Sequence, residues 1–285
     1  MPVTATIISF NEAANIEAAL HSLSWADEII VVDSESTDGT AAIARESLSR
    51  RSATREGGFT DKVIVRPWPG YIAQKNFAAE QASHDWIFSL DADERVTPEL
   101  AAEITGLLAN DRAEAGERNR PRAAGYRVPR VTFHLGRWMR STDWYPDYQL
   151  RFYDRRRARW SGKYVHESVK ADGPVEDLAG ELQHYAYRDL AHHCQTMDRY
   201  TTLAARQMYE EGRRAGFFDL LVHPPAAFVR NYMLRGGFRD GVPGLIVSAM
   251  NARYVGLKFA KLWELCSPST STPRAPGAGD SNRSS

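Results

Sequence analysis

Trp86-Ile-Phe-Ser-Leu-Asp-Ala-Asp-Glu94 is the stretch on which the fold turns. It opens as a short run in which aromatic and β-branched residues are prominent, the makeup of a covered strand, and it runs straight into alternating carboxylates. In open parallel sheets ligands sit beyond the carboxyl ends of the strands, and oxygen ligands select hard cations such as Mg²⁺ or Mn²⁺. Asp91 and Asp93 are therefore the candidate metal ligands. An isolated Asp-x-Asp is equally a charged turn that caps the next helix; what surrounds this one changes the odds.

Upstream, residues 4–10, 28–32 and 62–66 form similar short runs, and together with 86–90 they alternate with segments of helical period. That alternation predicts an α/β fold with a mainly parallel sheet flanked by helices. Asn11 is expected to cap a helix carrying Ile16, Leu20 and Leu23 on one face; a second helix follows Asp38-Gly-Thr40, and Thr97-Pro98-Glu99 announces a third. The run 28–32 also ends on a carboxylate, Asp33, so two neighbouring strand ends would face one crevice. There Asp33 could accept hydrogen bonds from a base or ribose, with Ser36, Asp38 and Gly39 shaping the pocket. Ser-Thr-Asp-Gly-Thr40 is also a good turn and helix cap, so this segment can be structural.

Downstream, the polar stretch 110–122 reads as an exposed loop, 125–131, 149–154, 164–170 and 181–187 as further strands, and 189–212 as a helix. The last segment is too rich in Ser, Pro and Gly to offset the entropy of ordering it. The chain of 285 residues is 43% hydrophobic and 25% charged, with Lys+Arg 36 against Asp+Glu 36, a balance that argues against a nucleic-acid partner. Two cysteines, Cys194 and Cys266, give neither a disulfide framework nor paired metal spacing, which suits a reducing, cytoplasmic setting. The first ten residues lack the basic start and long apolar run of a signal peptide and read directly as a strand.

Three motifs in order, Thr6-Ile-Ile-Ser-Phe-Asn-Glu12, Val32-Asp-Ser-Glu-Ser-Thr-Asp-Gly-Thr40 and Leu90-Asp-Ala-Asp-Glu94, resemble those of the inverting family-two glycosyltransferases of GT-A fold. The resemblance implies a nucleotide-diphosphate sugar as donor, UDP-sugar favoured, and a divalent cation as cofactor. It places Ser9, Asn11, Glu12, Asp33, Ser36, Asp38 and Asp91 around the donor, and Gln74-Lys-Asn76 brings Lys75 and Asn76 towards its phosphates. Further on, Pro146-Asp147, Gln149-Leu-Arg151 and Val165-His-Glu167 resemble elements of bacterial glucosyltransferases that act on the lipopolysaccharide core. An inverting transfer needs a base for the acceptor hydroxyl, and Asp147 and Glu167 compete for that role, each with a structural alternative as turn residue or paired carboxylate. Of the basic cluster Arg151, Arg155, Arg156, Arg157 and Arg159, only Arg151 is singled out for anion binding; a solvated hairpin explains the rest.

The resulting organisation is a GT-A catalytic domain over 1–188 (nucleotide-binding half 1–110, acceptor half 123–188), a helical extension over 189–266, and a disordered tail over 267–285. Within 217–265, Pro224-Pro225, Gly236-Gly237 and Asp240-Gly241 divide an apolar stretch that charges keep from spanning a membrane. On a helix, Leu245, Ala249, Ala252, Phe259, Leu262 and Trp263 would share a charge-free face able to lie in a lipid interface, which suggests peripheral attachment on the inner face of the cytoplasmic membrane. Packing against the catalytic domain or a homodimer partner explains the same face. The expected acceptor is a glycan or glycolipid. A nucleotidyltransferase that makes nucleotide sugars is the rival enzyme, though no glycine-rich loop follows the first strand; a non-catalytic sugar-nucleotide or lipid-binding protein is the rival of another class.

Overall fold

The computed structural model describes residues 1–54, 60–113, 123–162 and 167–267. Four strands, β1 (Val3–Ser9), β2 (Glu28–Asp33), β3 (Lys62–Val65) and β4 (Trp86–Asp91), lie parallel in the order β3-β2-β1-β4. The chain steps outward from β1 to β3 and then returns to the other flank of β1. This reversal between β1 and β4 is the switch point at which an open α/β sheet forms its ligand crevice. Register brings the carboxyl ends level, with Ser9 opposite Asp33 and Ile8 opposite Asp91.

The strand alternation explains both faces. Ala5, Ile7, Ile29, Val31, Phe88 and Leu90 point to one side, under α1 (Ile16–Ser22), α2 (Thr40–Ala53) and α4 (Pro98–Ala113). Ile8, Ile30, Val32 and Ile87 point to the other, under α3 (Tyr71–Glu80). Beyond β4 the sheet continues with β5 (Glu94–Val96), β6 (Gly125–His134), β8 (Asp147–Asp154) and β12 (Leu182–His184), in the order β4-β8-β6-β12-β5. Here β8 is antiparallel to both neighbours, whereas β12 is parallel to β6. β7 (Arg137–Met139) and β11 (Val175–Asp177) also pair with β6, and β9 (Ala158–Ser161) with β10 (Ser168–Ala171) forms a separate hairpin whose Trp160 and Val169 pack on the α3 side.

The helical C-terminal region comprises α5 (Leu190–Glu210), capped by the Asp189 carboxylate accepting from His192 N, then α6 (Phe217–Val229) and α7 (Gly241–Cys266). A π turn (Arg230–Leu234) and a 3₁₀ turn (Gly237–Asp240) join the last two. Ala205 and Met208 of α5 bury Phe259 and Leu262 of α7. Of the face expected to meet lipid, Phe259 and Leu262 are therefore internal, whereas Leu245 and Trp263 are 41% and 48% exposed.

Several local expectations are corrected. Asn11 does not cap α1; it takes φ 55° in the preceding loop and its side-chain oxygen accepts from Thr37 N instead. Pro224 and Pro225 lie inside α6 and do not divide it. They remove the donors to the carbonyls of Leu220 and Leu221, which the helix tolerates at the surface, where water can take them. The expected loop 110–122 begins only after α4 reaches Ala113, and its residues 114–122 lie outside the described residues, as do 164–166 of the strand expected over 164–170 and residues 268–285 of the tail. The strand expected over 181–187 shrinks to β12, and β5, β7, β9 and β11 were not anticipated.

Candidate active site

Two loops form the frame. Asp33 is fully buried at the end of β2, and its carboxylate accepts from Ser9 Oγ (2.9 Å), Ser36 N (2.9 Å) and Ser36 Oγ (2.6 Å). Ser36 Oγ in turn accepts from Asn11 N at 2.8 Å. Gly39, at φ 90°, turns the chain into α2, where a side chain would be strained, and leaves Asp38 to accept from Ala13 N (3.0 Å) and Thr40 N (3.0 Å). These bonds hold Asp38 below the usual carboxylate range against the opposing effect of burial. Thus Ser9, Asn11, Asp33, Ser36 and Asp38 stitch the loops after β1 and β2 to each other.

At the end of β4 the chemistry changes from hydroxyls to charges. Asp91 Oδ1 meets Lys75 Nζ at 2.7 Å, and Asp91 Oδ2 meets Arg151 Nη2 at 2.7 Å. The same guanidinium nitrogen reaches Glu94 Oε1 (2.6 Å), which also receives Arg130 Nη1 (3.0 Å); Arg130 Nη2 then reaches Asp147 Oδ2 at 2.6 Å. Lys75, Asp91, Arg151, Glu94, Arg130 and Asp147 thereby form a chain of alternating sign. Burial would raise Asp91's pKa, but Arg151 and Lys75 outweigh it and hold the carboxyl far below its ordinary value. Burial also pushes the Lys75 ammonium down, against the pull of Asp91. Lys75 lies 4.0 Å from the centre of the Trp160 ring. Nε and Nη1 of the buried Arg151 have no hydrogen-bond partner among the described residues, which leaves donor capacity unspent.

Asp93 stands on the other side of the same turn. Its Oδ2 lies 3.4 Å from His184 Nε2, and its carboxyl is held low by that imidazole in spite of burial. Glu12 lies within its field: burial raises the Glu12 pKa and the Asp93 charge adds to the rise. The side chains of Asp91 and Asp93 are each 28% exposed, so both remain open to the crevice. Among the described residues no three His, Cys, Asp or Glu side chains are gathered to hold a metal ion; Asp93 is the more available of the two expected ligands because both Asp91 oxygens already carry cationic partners.

The base candidates separate. Asp147 is spent within the protein: Arg130 donates twice to Oδ2 (2.9 and 2.6 Å) and Gln149 Nε2 donates to Oδ1 at 2.6 Å. Glu167 precedes β10 and is half-buried; burial raises its pKa, Lys75 lowers it and Asp91 raises it, for a net upward shift. It therefore stands within the field of the charged cluster without being consumed by it. His166 lies outside the described residues.

Asn76 is brought to the cluster's edge, but its amide is spent on the Trp160 backbone, donating to the carbonyl and accepting from the N–H, each at 3.0 Å. Arg155, Arg156 and Arg157 bond to Ala79 O and Ala82 O, to Asp154 and to Asp172 O, which leaves Arg151 alone of that series inside the site. Sequence reasoning assigned no role to Glu94, Arg130, Trp160 or His184. Glu94 alone carried a signal, its place in the Asp-Ala-Asp-Glu run; the others reach the site only through strand pairing.

With this geometry in place, relatives can be compared. Residues 4–168 match the family model described as glycosyl transferase family 2. The chain is 32% identical over 266 residues to the lipopolysaccharide core biosynthesis glycosyltransferase LpsC of Rhizobium meliloti, with 93% of each chain covered. It is 31% identical over 283 residues to an uncharacterized glycosyltransferase of Rickettsia bellii, covering 94% of this chain and 89% of that one. Its fold is similar, at TM-score 0.53 and 14% identity over 92% of this chain and 87% of the other, to the mannosyltransferase PcManGT of Pyrobaculum calidifontis, solved in complex with GDP-Man and Mn²⁺. The stitched loops, the carboxylates at the switch point and these matches lead to one statement: the chain belongs to glycosyltransferase family 2, with a GT-A fold.

Proposed function

We propose that this glycosyltransferase moves a sugar, glucose in the first instance, from a nucleotide-diphosphate donor to the lipopolysaccharide core or a related lipid-linked glycan, with inversion at the anomeric carbon. The observation that carries the reading is the convergence at the switch point of a buried nucleotide-side frame, Asp33 with Ser9 and Ser36, and a charged group, Asp91 with Lys75 and Arg151. The relation to the lipopolysaccharide core enzyme of Rhizobium supports the acceptor class. The glycosyltransferase match argues against the nucleotidyltransferase reading.

The frame orients the nucleoside, while Lys75 and Arg151 supply positive charge beside the diphosphate. A Mg²⁺ or Mn²⁺ ion bound at Asp93, with Asp91 and His184 beside it, would neutralise the charge that gathers on the departing diphosphate. In the transfer, the acceptor oxygen forms its bond to the anomeric carbon as the bond from that carbon to phosphate breaks. The electron pair leaves on the diphosphate and the hydroxyl proton passes to the Glu167 carboxylate. The raised pKa of Glu167 makes it a stronger base than an exposed glutamate. Asp147 instead anchors Arg130 and, through Glu94, keeps Arg151 in place.

Profiling UDP-glucose, UDP-galactose, UDP-GlcNAc and GDP-mannose against core oligosaccharide acceptors tests the reading. Sugar transfer from a UDP-sugar is the expected result. Nucleotide-sugar binding without turnover on any acceptor would favour a non-catalytic binding protein.

A further inference from the structure

Ten of the twenty exposed large hydrophobic residues among those described fall between 217 and 245. Phe217 (71% exposed), Phe218 (76%), Leu221 and Val229 run along one side of α6, and Leu234 (78%) extends it through the π turn. α6 packs on α7 through Ala227, Leu220 and His223, whose ring stacks on Phe259, and leaves the opposite, Phe217–Phe218–Leu221–Val229 side uncovered. A continuous apolar surface of this kind marks an interaction site rather than ordinary surface variation. No helix among the described residues is long and apolar enough to cross a membrane, so this surface can lie on a bilayer but not span one.

Charge identifies the occupant. Arg213, Arg214 and Arg239 are exposed around the apolar face, as is Arg235, which lies 3.6 Å from Asp143. Glu210 and Glu211 are exposed just before Arg213 at the end of α5; between 213 and 245 only two acids occur, and both are engaged: Asp219 accepts from Gly216 N and lies 3.2 Å from His223, while Asp240 is buried against Arg137 and Ser141. The rim is thus cationic. A second copy of the chain meeting this face about a twofold axis would oppose arginine to arginine, whereas anionic lipid headgroups satisfy every rim charge while the acyl region takes the apolar side chains.

The surface also connects to the acceptor side of the site. Asp143 of the 3₁₀ turn Thr142–Trp144 pairs with Arg230 and with Asn231 Nδ2 (3.0 Å), and Thr142 N donates to Arg235 O at 3.1 Å. That turn leads directly into Asp147 and β8. We propose that α6 and the following π turn form the docking surface for an anionic phospholipid membrane, placing the acceptor loop at the bilayer from which a lipid-linked acceptor projects. The orientation part of this inference rests on the proposed acceptor class; the lipid binding does not.

The test is flotation of the full-length protein with vesicles of phosphatidylcholine alone or mixed with phosphatidylglycerol, alongside its mass by light scattering. The wild type should float with the anionic vesicles only, and added salt should release it. Phe218→Ser combined with Leu221→Ser, and separately Arg213→Gln combined with Arg239→Gln, should each weaken binding about tenfold or more. Trp263→Ala on α7 should leave it unchanged. UDP-glucose binding, followed in vesicle-free solution on the same samples, should be the same in all variants; its loss throughout would count against the glycosyltransferase reading and not against the docking surface. Failure of the wild type to float, equal flotation of wild type and both double variants, or a dimer that only the serine variant dissociates would overturn the proposal.

Discussion

Asp33 and Asp91 close β2 and β4, the two strands that flank β1 in one parallel sheet, yet the protein treats them in opposite ways. Asp33 is buried among hydroxyls and backbone N–H groups, with neutral partners and a short, local network. Asp91 is open to the crevice and held by Lys75 and Arg151, at the head of a charged chain that runs on to Asp147. The first arrangement fixes a shape. The second stores charge where a diphosphate and a cation would arrive, and desolvation by ligand strengthens it. Position at a strand end makes a carboxylate available; its partners decide whether it frames the ligand or answers its charge.

The largest expected effect lies where the charged chain meets the acceptor. Glu167→Gln should lower kcat by about 10²–10⁴-fold with little change in donor affinity, whereas Asp147→Asn should act mainly on stability. Because burial raises the Glu167 pKa, transfer should increase as pH rises through a value above the ordinary glutamate range, as the carboxylate becomes able to take the proton. A pH profile of kcat/KM that keeps this limb in the Gln variant would remove Glu167 from the role.

Arg151→Met sharpens the contrast through stability. It leaves the fully buried Glu94 with Arg130 as its one cationic partner beside the Asp91 N–H, and Asp91 with Lys75 as its one cation, and should cost about 3–5 kcal/mol in denaturant unfolding. Asn76→Ala comes next: losing both bonds to the Trp160 backbone should cost about 1–3 kcal/mol while donor affinity, read by calorimetry, changes less. The smallest effect belongs to the frame, where Ser36→Ala removes one hydroxyl that donates to Asp33 and accepts from Asn11 N, while Ser36 N and Ser9 still hold Asp33, and should cost about 1 kcal/mol. A frame variant that proved more damaging to turnover than those of the charged chain would break the comparison.

The nucleotide-binding half was legible because its signals are local. Each strand runs into its own loop, so 4–10, 28–32 and 86–90 announced both the sheet and the residues at its edge. The acceptor side was less so, since Arg130, His184 and Trp160 come to the site through β6, β12 and β9, whose pairing no spacing reveals. Asn76 shows the limit from the other direction: its place in the motif series is as expected, but its amide is turned to the hairpin. In the C-terminal region the apolar surplus was visible and its address was not. Phe259 and Leu262 of α7 are core while Leu245 and Trp263 stay exposed, and the more exposed face belongs to α6, across a proline pair that local rules read as a break.

The most direct test of the account is the rate of sugar transfer as a function of Mn²⁺ concentration for the wild type, Asp91→Ala and Asp93→Ala, each first shown to be folded. The wild type should require the cation, and both variants should lose about 10³-fold in turnover, with Asp93→Ala also losing its response to Mn²⁺. Equal, metal-dependent turnover in all three proteins would contradict the placement of the reaction at the end of β4.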